Sequence, residues 1–561
     1  MKTCNREFMK NSLSLRMCKL KPDAKRQIPC GSNILLAATV CAAMVTSPVQ
    51  AQFQWAKRIA STTSLPGGEP DVGTTLDSQG NCYVTGFFDG ANNFGGITLT
   101  NKSVGGSDIF VAKYNSGGTL QWAQRAGGSS PNLNNGRGIG ADTNGNVYVT
   151  GGFYGPADFG SFNLPASGYE QAFLAKYNSA GTVEWVQQSG SGGSDVYGTG
   201  LAVDGAGNCY AVGFANGGAT VTFETISLPN PGYSTFLVKY DNTGTVKWAQ
   251  LMGGPGVTYA CKVAVDAAGN VYVCGSFTEN MTIGTSNLVT AGSTKNMFIA
   301  KFNNSGALTW VQQPVGGDPG GDGGMAVDQT GNVYVPSLLD SPINFGGISL
   351  TNTVTYDAFV AKYSSSGAIQ WARMAGGTNL GVYNAYGDNA LDSAGNVYAG
   401  GTFCSDTVST NGSAVAVVAK YSPTGTLQWT YTASGPPASP VSSMVTKCAV
   451  DSANNCYLAG WYQGTNTFGT NILLRQGNFN IFLAKVAVPV IILSSPRVTG
   501  GRTNFTCLLS GPVGSNYVLE ASTNLLNWSP VSTSTIPVSG SITLSNAISG
   551  YNRRFYRVYL K

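Results

Sequence analysis

Histidine is absent from all 561 residues. A serine or cysteine nucleophile therefore has no imidazole base here, and no histidine can relay a proton or ligate a metal. Any catalysis would rest on carboxylate, Tyr, Lys or Cys side chains. Charge is scarce too: Asp, Glu, Lys and Arg make up 11% of the chain, against roughly 25% in ordinary soluble domains. No Walker-type phosphate loop occurs, and the many GxG stretches read as turn glycines. The cysteines lack the CxxC spacing of zinc sites. No helical periodicity is sustained between Gln52 and Lys485, which leaves strands to build the fold.

What is present repeats. A turn of the form Asp, two small or polar residues, Gly or Asn, Asn, one residue and Tyr begins at Asp77, Asp142, Asp204, Asp266, Asp328, Asp392 and Asp451. Downstream of each comes a strand bearing Lys113, Lys176, Lys239, Lys301, Lys362, Lys420 or Lys485. Six of these lysines precede a Gly turn and a strand ending in Trp122, Trp185, Trp248, Trp310, Trp371 or Trp429; the seventh Trp, Trp55, stands alone ahead of the first turn. Each repeat reads as four short strands, in the first near Gly73 to Asp77, Cys82 to Phe88, Ile109 to Tyr114 and Leu120 to Arg125. Seven such units predict an all-β, seven-bladed β-propeller, with the strand around Trp55 supplying the fourth strand of the last blade. The 75 glycines punctuate its turns.

The formal charge of +5 is misleading. Residues 1–51 carry eight basic and two acidic side chains, and removing that net +6 leaves −1. No basic stripe remains to neutralise phosphates, so nucleic acid is not an expected partner. The same segment reads as a secretory signal: its apolar run Ile34 to Val45 is too short to span a membrane, and Val49-Gln50-Ala51 offers small residues for cleavage. The expected organisation is a signal peptide at 1–51, a propeller at 52–487, a linker at 488–496 and a C-terminal β-sandwich at 497–561. The other readings are an uncleaved anchor, or a start at Met9 or Met17. The mature chain is expected to be secreted or at the cell surface, monomeric and without a transmembrane span.

Eight of the twelve cysteines lie beyond the leader. If the turn from Asp266 to Gly269 closes a hairpin, Cys261 and Cys274 face each other across it, and an exported chain could oxidise them. Two buried thiols are the other reading.

The unit Val-Asp-x-x-Gly-Asn-Val-Tyr-Val-x-Gly, then Phe-x-Ala-Lys-Tyr, then Gly-Thr-Leu-x-Trp resembles the bacterial seven-bladed propeller repeat, SBBP. Pro336 in blade 5 and Val417 in blade 6 depart from it. The resemblance implies an exported or surface protein without an assigned activity. The tail, Asn516 to Trp528 with Arg554-Phe555-Tyr556-Arg557-Val558, is similar to small β-sandwich modules that close exported proteins of Verrucomicrobia-like and Planctomycete-like bacteria.

Residues repeated in every unit read first as architecture: the Asp caps its turn, the Lys packs its stem on aromatics, and the Trp packs between blades. Function is sought where units differ, in the longer connections such as Asp89 to Asp108, Gly127 to Arg137, Gly190 to Tyr197 and Val315 to Gly324. Asp71 and Asp322 stand six residues before their turn aspartates, and Asp195, Asp388 and Arg137 lie nearby. These five could ring the channel mouth and hold a polar ligand or a cation; a solvated acidic rim is the plain reading, and no cofactor is expected, calcium being the one alternative. Tyr197, Tyr259, Tyr383 and Tyr386 could stack on sugars. The expected function is non-enzymatic: an exported binding or scaffold protein whose partner is a protein or polysaccharide. The alternative is a lectin-like or carbohydrate-active propeller, with Asp318 and Asp322 as a carboxylate pair to test.

Overall fold

The computed structural model describes residues 52–487, apart from 63–70, 103–104, 130, 132, 191, 218–219, 231, 291–294, 318–322, 354–355, 376–384, 404–413 and 435–441, and in the tail 492–499, 504–510, 516–524, 526–536, 541–548 and 554–560. Among these residues every regular element is a strand. They fall into two compact units, one ending at Ile491 and one beginning at Ile492. The signal expected at 1–51 lies outside the described residues.

In the larger unit the described strands form seven antiparallel groups of four, in chain order within each group but the last. The first comprises Gly73–Leu76, Cys82–Phe88, Asp108–Tyr114 and Leu120–Gly127. The last takes Ser443–Val450, Cys456–Tyr462 and Phe479–Ala487 from late in the chain, and its fourth strand is Gln52–Thr62, paired from Gln52↔Ala487 to Thr62↔Phe479. The first strands of successive groups pack against one another. Second strands such as Cys82–Phe88 and Val147–Phe153 are buried at every position, which is why so few charges are tolerated. Pro336 sits in the second strand Val333–Leu339 and has no N–H to give. The first strand beside it is reduced to Ala326–Val327.

The repeated turn explains its own sequence. Asp77 Oδ1 accepts the N–H groups of Gln79 and Asn81 at 3.0 and 2.9 Å. Its Oδ2 accepts Asn81 Nδ2 at 2.7 Å and the Tyr83 hydroxyl at 3.0 Å. The Tyr-to-Asp bond recurs in all seven units at 3.0 to 3.4 Å. The fourth turn position is left-handed, with Gly80 at φ 76° and, in the last unit, Asn454 at φ 64°. Glycine and asparagine are the residues that take this conformation most readily, hence the "Gly or Asn" of the motif. Each unit's Lys ammonium lies 4.6 to 5.6 Å from the centroid of its Tyr ring.

These turns predict an acid limit to stability. Burial alone would raise the carboxyls of Asp266, Asp328 and Asp392, but hydrogen bonds led by those from Asn270, Asn332 and Asn396 outweigh it and hold all three below the ordinary value. A carboxyl lowered in the folded state contributes stability above its unfolded pKa, about 3.9, and loses it as pH falls through the folded value. The thermal midpoint should therefore be insensitive to these groups from pH 5 to 8 and drop steeply below about pH 4. A melting series in matched ionic strength checks this.

Tryptophans join neighbouring groups. The indole N–H of Trp55 donates to Ser116 O at 3.3 Å, and Trp122, Trp185, Trp248, Trp310 and Trp371 each donate to the same turn of the next group at 3.0 to 3.2 Å. Among the described residues Trp429 has no such turn to hold, because the third strand of the last group ends at Ala487 and its fourth, Gln52–Thr62, comes from far earlier in the chain. The long connections between second and third strands are not bare loops. Ala157–Phe159 with Phe162–Leu164, and Thr220–Phe223 with Ile226–Pro229, are hairpins that extend the preceding sheet through Asp158↔Gly127 and Ser189↔Phe223. In the first group, the hairpin Ala91–Asn93 with Thr98–Thr100 is held to Gln52–Thr62 by Asn92, whose side chain bonds the Ser61 backbone N–H and C=O at 2.8 and 3.2 Å. Much of Asp89 to Asp108, expected to carry binding, is thus structural.

The expected facing of Cys261 and Cys274 is not found. The first strand Thr258–Val265 has a bulge between Ala260 and Lys262, so Lys262 is the residue opposite Cys274. Bulges at the same place occur between Gly136 and Gly138, Gly198 and Gly200, Tyr386 and Asp388, and Val445 and Lys447. Each shifts the register by one and defeats simple counting across the turn. Cys274 is a buried, unbridged thiol, pushed up to about 12 by its burial.

The smaller unit contains two three-stranded antiparallel sheets, Ile492–Thr499, Asn504–Ser510 and Ser541–Ala547, and Ser529–Thr535, Asn516–Ser522 and Phe555–Leu560. Phe505 of one stacks on Tyr556 of the other at 4.1 Å. The linker expected over 488–496 is strand from Ile492 onward, and Pro496 falls at a register irregularity between Ser494 and Arg497, where a missing N–H costs little.

Candidate functional site

Charge collects where the first strands meet. Four residues before its turn aspartate, a unit carries either glycine (Gly73, Gly138, Gly200 and Gly324) or a charged residue (Lys262, Asp388 and Lys447). The glycines are required by closeness: a Cβ on Gly324 would stand 2.5 Å from Asp388 Cα. The charged residues pair. Lys262 Nζ is 2.8 Å from Asp388 Oδ2 across two units, and Lys447 Nζ is 3.9 Å from Asp71 Oδ1. Asp388 is 2% exposed and also accepts the Cys448 N–H at 3.4 Å. Its Oδ1 has no hydrogen-bond partner among the described residues. Burial depresses the Lys262 ammonium, Asp388 pulls it back up, and Lys447 pushes it further down. Asp71 is within electrostatic reach of both Lys262 and Arg137.

Arg137 extends the cluster. Its guanidinium is 3.4 Å from Glu170 Oε1 and lies 4.3 Å from the Tyr197 ring centroid. Asp195 Oδ1 accepts the Glu170 N–H at 2.9 Å. Burial, with Asp195 beside it, lifts the Glu170 carboxyl above its ordinary value against the pull of Arg137. Of the five residues singled out in the sequence, Asp71, Arg137, Asp195 and Asp388 therefore belong to one charged region, while Asp322, like its partner Asp318, lies outside the described residues. The region is not an acidic rim. Arg137, Lys262 and Lys447 oppose Asp71, Glu170, Asp195 and Asp388, and among the described residues no group of three carboxylates or thiols is placed to hold a metal ion.

Lys262, Lys447 and Glu170 were missed from sequence. The signal for the two lysines was their register with Asp388, which becomes visible once the seven turns are aligned. Of the tyrosines, Tyr197 and Tyr259 stand in this region, Tyr383 lies outside the described residues, and Tyr386 is buried with its hydroxyl 2.9 Å from that of Tyr421. Tyr386 is core rather than a stacking surface. A second concavity, of about 540 Å³, opens between Asp89–Asn92 and Gln476–Gly477. Its polar groups serve the fold: Asn92 holds Ser61, and Asp89 Oδ2 accepts the Thr62 hydroxyl at 3.1 Å.

The family model for the SBBP beta-propeller repeat matches residues 121–151, 184–218 and 247–276. The chain carries SBBP beta-propeller repeats. An uncharacterized WD repeat-containing protein of Acanthamoeba polyphaga mimivirus is 24% identical over 431 residues, 63% of this chain and 30% of that protein. The chain thus spans under a third of that relative's length. Among solved structures, a protein of unknown function from Bacteroides caccae aligns with TM-score 0.30 and 12% identity over 52% of this chain and 79% of that one. A gluconolactonase from Xanthomonas campestris aligns with TM-score 0.27 and 11% identity over 61% and 90%. A puromycin hydrolase aligns with TM-score 0.35 and 8% identity over 79% and 59%. Likenesses this loose carry no chemistry to this chain. The matched SBBP repeats hold Arg137, Asp195, Tyr197, Tyr259 and Lys262, so these members of the region lie within copies of one repeat. No helix among the described residues is long and apolar enough to cross a membrane.

Proposed function

We propose that the chain is an exported, seven-bladed propeller closed by its N-terminal strand, working as a binding scaffold rather than as an enzyme. The observation that carries this is the contrast between the two kinds of residue: Asp, Tyr, Lys and Trp repeat around the ring as architecture, whereas the charged pairs where the first strands meet differ from unit to unit. Within that region Glu170, Asp388 and Asp71 are each set against a cation of the chain, an arrangement suited to recognising a polar partner. The absence of histidine supports the non-catalytic reading. The leader is assigned to residues 1–51, the ring to 52–487 and a small β-sandwich to the tail, and the mature protein is taken to act as a monomer at the cell surface or beyond it on a protein or polysaccharide. The test is to express the whole chain in a bacterium, fractionate the cells and measure the intact mass. A product beginning near Gln52 outside the cytoplasm is expected; a cytoplasmic product that retains Met1 would remove export from the proposal.

A further inference from the structure

One sector of the charged region is built unlike its counterparts. Four residues after the motif tyrosine, in the second strand, the units carry Phe87, Phe214, Ser276, Leu338, Thr402 and Trp461, but the second unit carries Gly152. A Cβ there would stand 1.9 Å from Glu170 Oε1. The carboxylate of Glu170 thus takes space that a side chain fills elsewhere, and its side chain is only 10% exposed. Asn135 pairs with Gly152 across the two strands and so shares its face. Its Oδ1 is buried and has no donor among the described residues. Arg137 is 3.4 Å from the Glu170 carboxylate, and Asp195 accepts the Glu170 backbone N–H at 2.9 Å.

Beside these polar groups runs an aromatic shelf. Tyr197 lies under Arg137 and 5.5 Å from Phe214, and Phe214 continues to Tyr233 at 6.1 Å with ring planes 24° apart. Tyr233 is 45% exposed, unusual for a tyrosine in this chain's strands. Flat aromatic faces next to paired carboxylates, an arginine and an unfilled amide acceptor match the two sides of a sugar ring. The C–H face packs on tyrosine, and the hydroxyls donate to carboxylate and amide oxygens while accepting from guanidinium. With one cation against two anions the sector disfavours an anionic glycan.

We propose that this sector is a binding site for a neutral saccharide, with Tyr197 and Tyr233 taking ring faces and Glu170, Asp195, Asn135 and Arg137 taking hydroxyls. The inference rests on the binding-scaffold reading and names its ligand class. The test is an array of neutral and acidic glycans probed with residues 52–561 as wild type, Tyr233→Ala, Tyr233→Phe and Glu170→Gln, with melting curves to establish folding. Tyr233 is exposed enough for its removal to leave the fold intact. Binding to neutral glycans is expected, weakened about tenfold or more by Tyr233→Ala, retained by Tyr233→Phe and lost in Glu170→Gln. Wild-type binding that survives both Tyr233→Ala and Glu170→Gln would place the saccharide elsewhere. No binding by the wild type, or binding to acidic glycans alone, would overturn the ligand class while leaving the export result as the separate measure of the scaffold reading.

Discussion

Asp388→Ala is expected to destabilise the chain by about 3–5 kcal/mol, the usual consequence of leaving one member of a buried ion pair alone. Lys262 would remain where burial already disfavours its charge and where Lys447 opposes it, and the Cys448 N–H would lose an acceptor. Against a typical total of about 5–15 kcal/mol, that loss would bring the larger unit close to unfolding at body temperature. The companion variant separates charge from packing. Lys262→Met with Asp388→Asn removes both charges, keeps an acceptor for Cys448, and is expected to recover most of the lost stability. Urea unfolding of residues 52–561 measures all three chains. A single variant as stable as wild type would mean that the Lys262–Asp388 pair does not hold the first strands together.

Removing the first strand should have a still larger effect. A chain beginning at Val72 loses Gln52–Thr62, and with it Phe53, which packs edge-on against Tyr431 and Phe468 at 4.9 and 5.0 Å, and Ile59, which is 1% exposed. Burial of each such side chain is worth about 1.5–3 kcal/mol, and the Trp55 bond to Ser116 goes as well. The edge of Phe479–Ala487 is then open along nine residues, a template for pairing with other chains. Light scattering after size exclusion should show a larger mass than the full chain gives, and a synthetic peptide of residues 52–62 added during refolding should restore the full chain's mass. A truncated chain that gives no larger mass and melts with the full one would show that Gln52–Thr62 contributes little.

The strands were legible because local chemistry dictates them. Asp77 to Tyr83 can be read as a turn without knowing its surroundings, since the carboxylate, the left-handed Gly80 and the Asn81 amide all act within seven residues. The same holds for the role of Gln52–Thr62, betrayed by an isolated Trp55 and an unmatched Lys485. Bulges left no such mark. Nothing at Cys261 announces that one residue is inserted there, so the facing of Cys274 by Lys262 emerged only from the register. The charged region was half visible. Asp71, Arg137, Asp195 and Asp388 stand out in the sequence, but Lys447 and Lys262 reach their partners across units, which one unit's sequence does not encode, and Glu170 meets Arg137 only through the folding of the second unit's own connection. Gly152 carries no mark in the sequence of its role, which is to yield its space to Glu170.

The pairing of Thr62 with Phe479 joins positions 417 residues apart. On a chain made from its amino end, Gln52–Thr62 is therefore the last strand of the larger unit to find its neighbour, and it waits through the synthesis of nearly all of that unit. Every intervening sheet can form from local pairings, which are fast, but closure must await the longest loop the molecule contains. Until then both edges of the seam stay open. The interval between the first strand and its partner is the period in which the nascent protein is most exposed to sticking to its own copies.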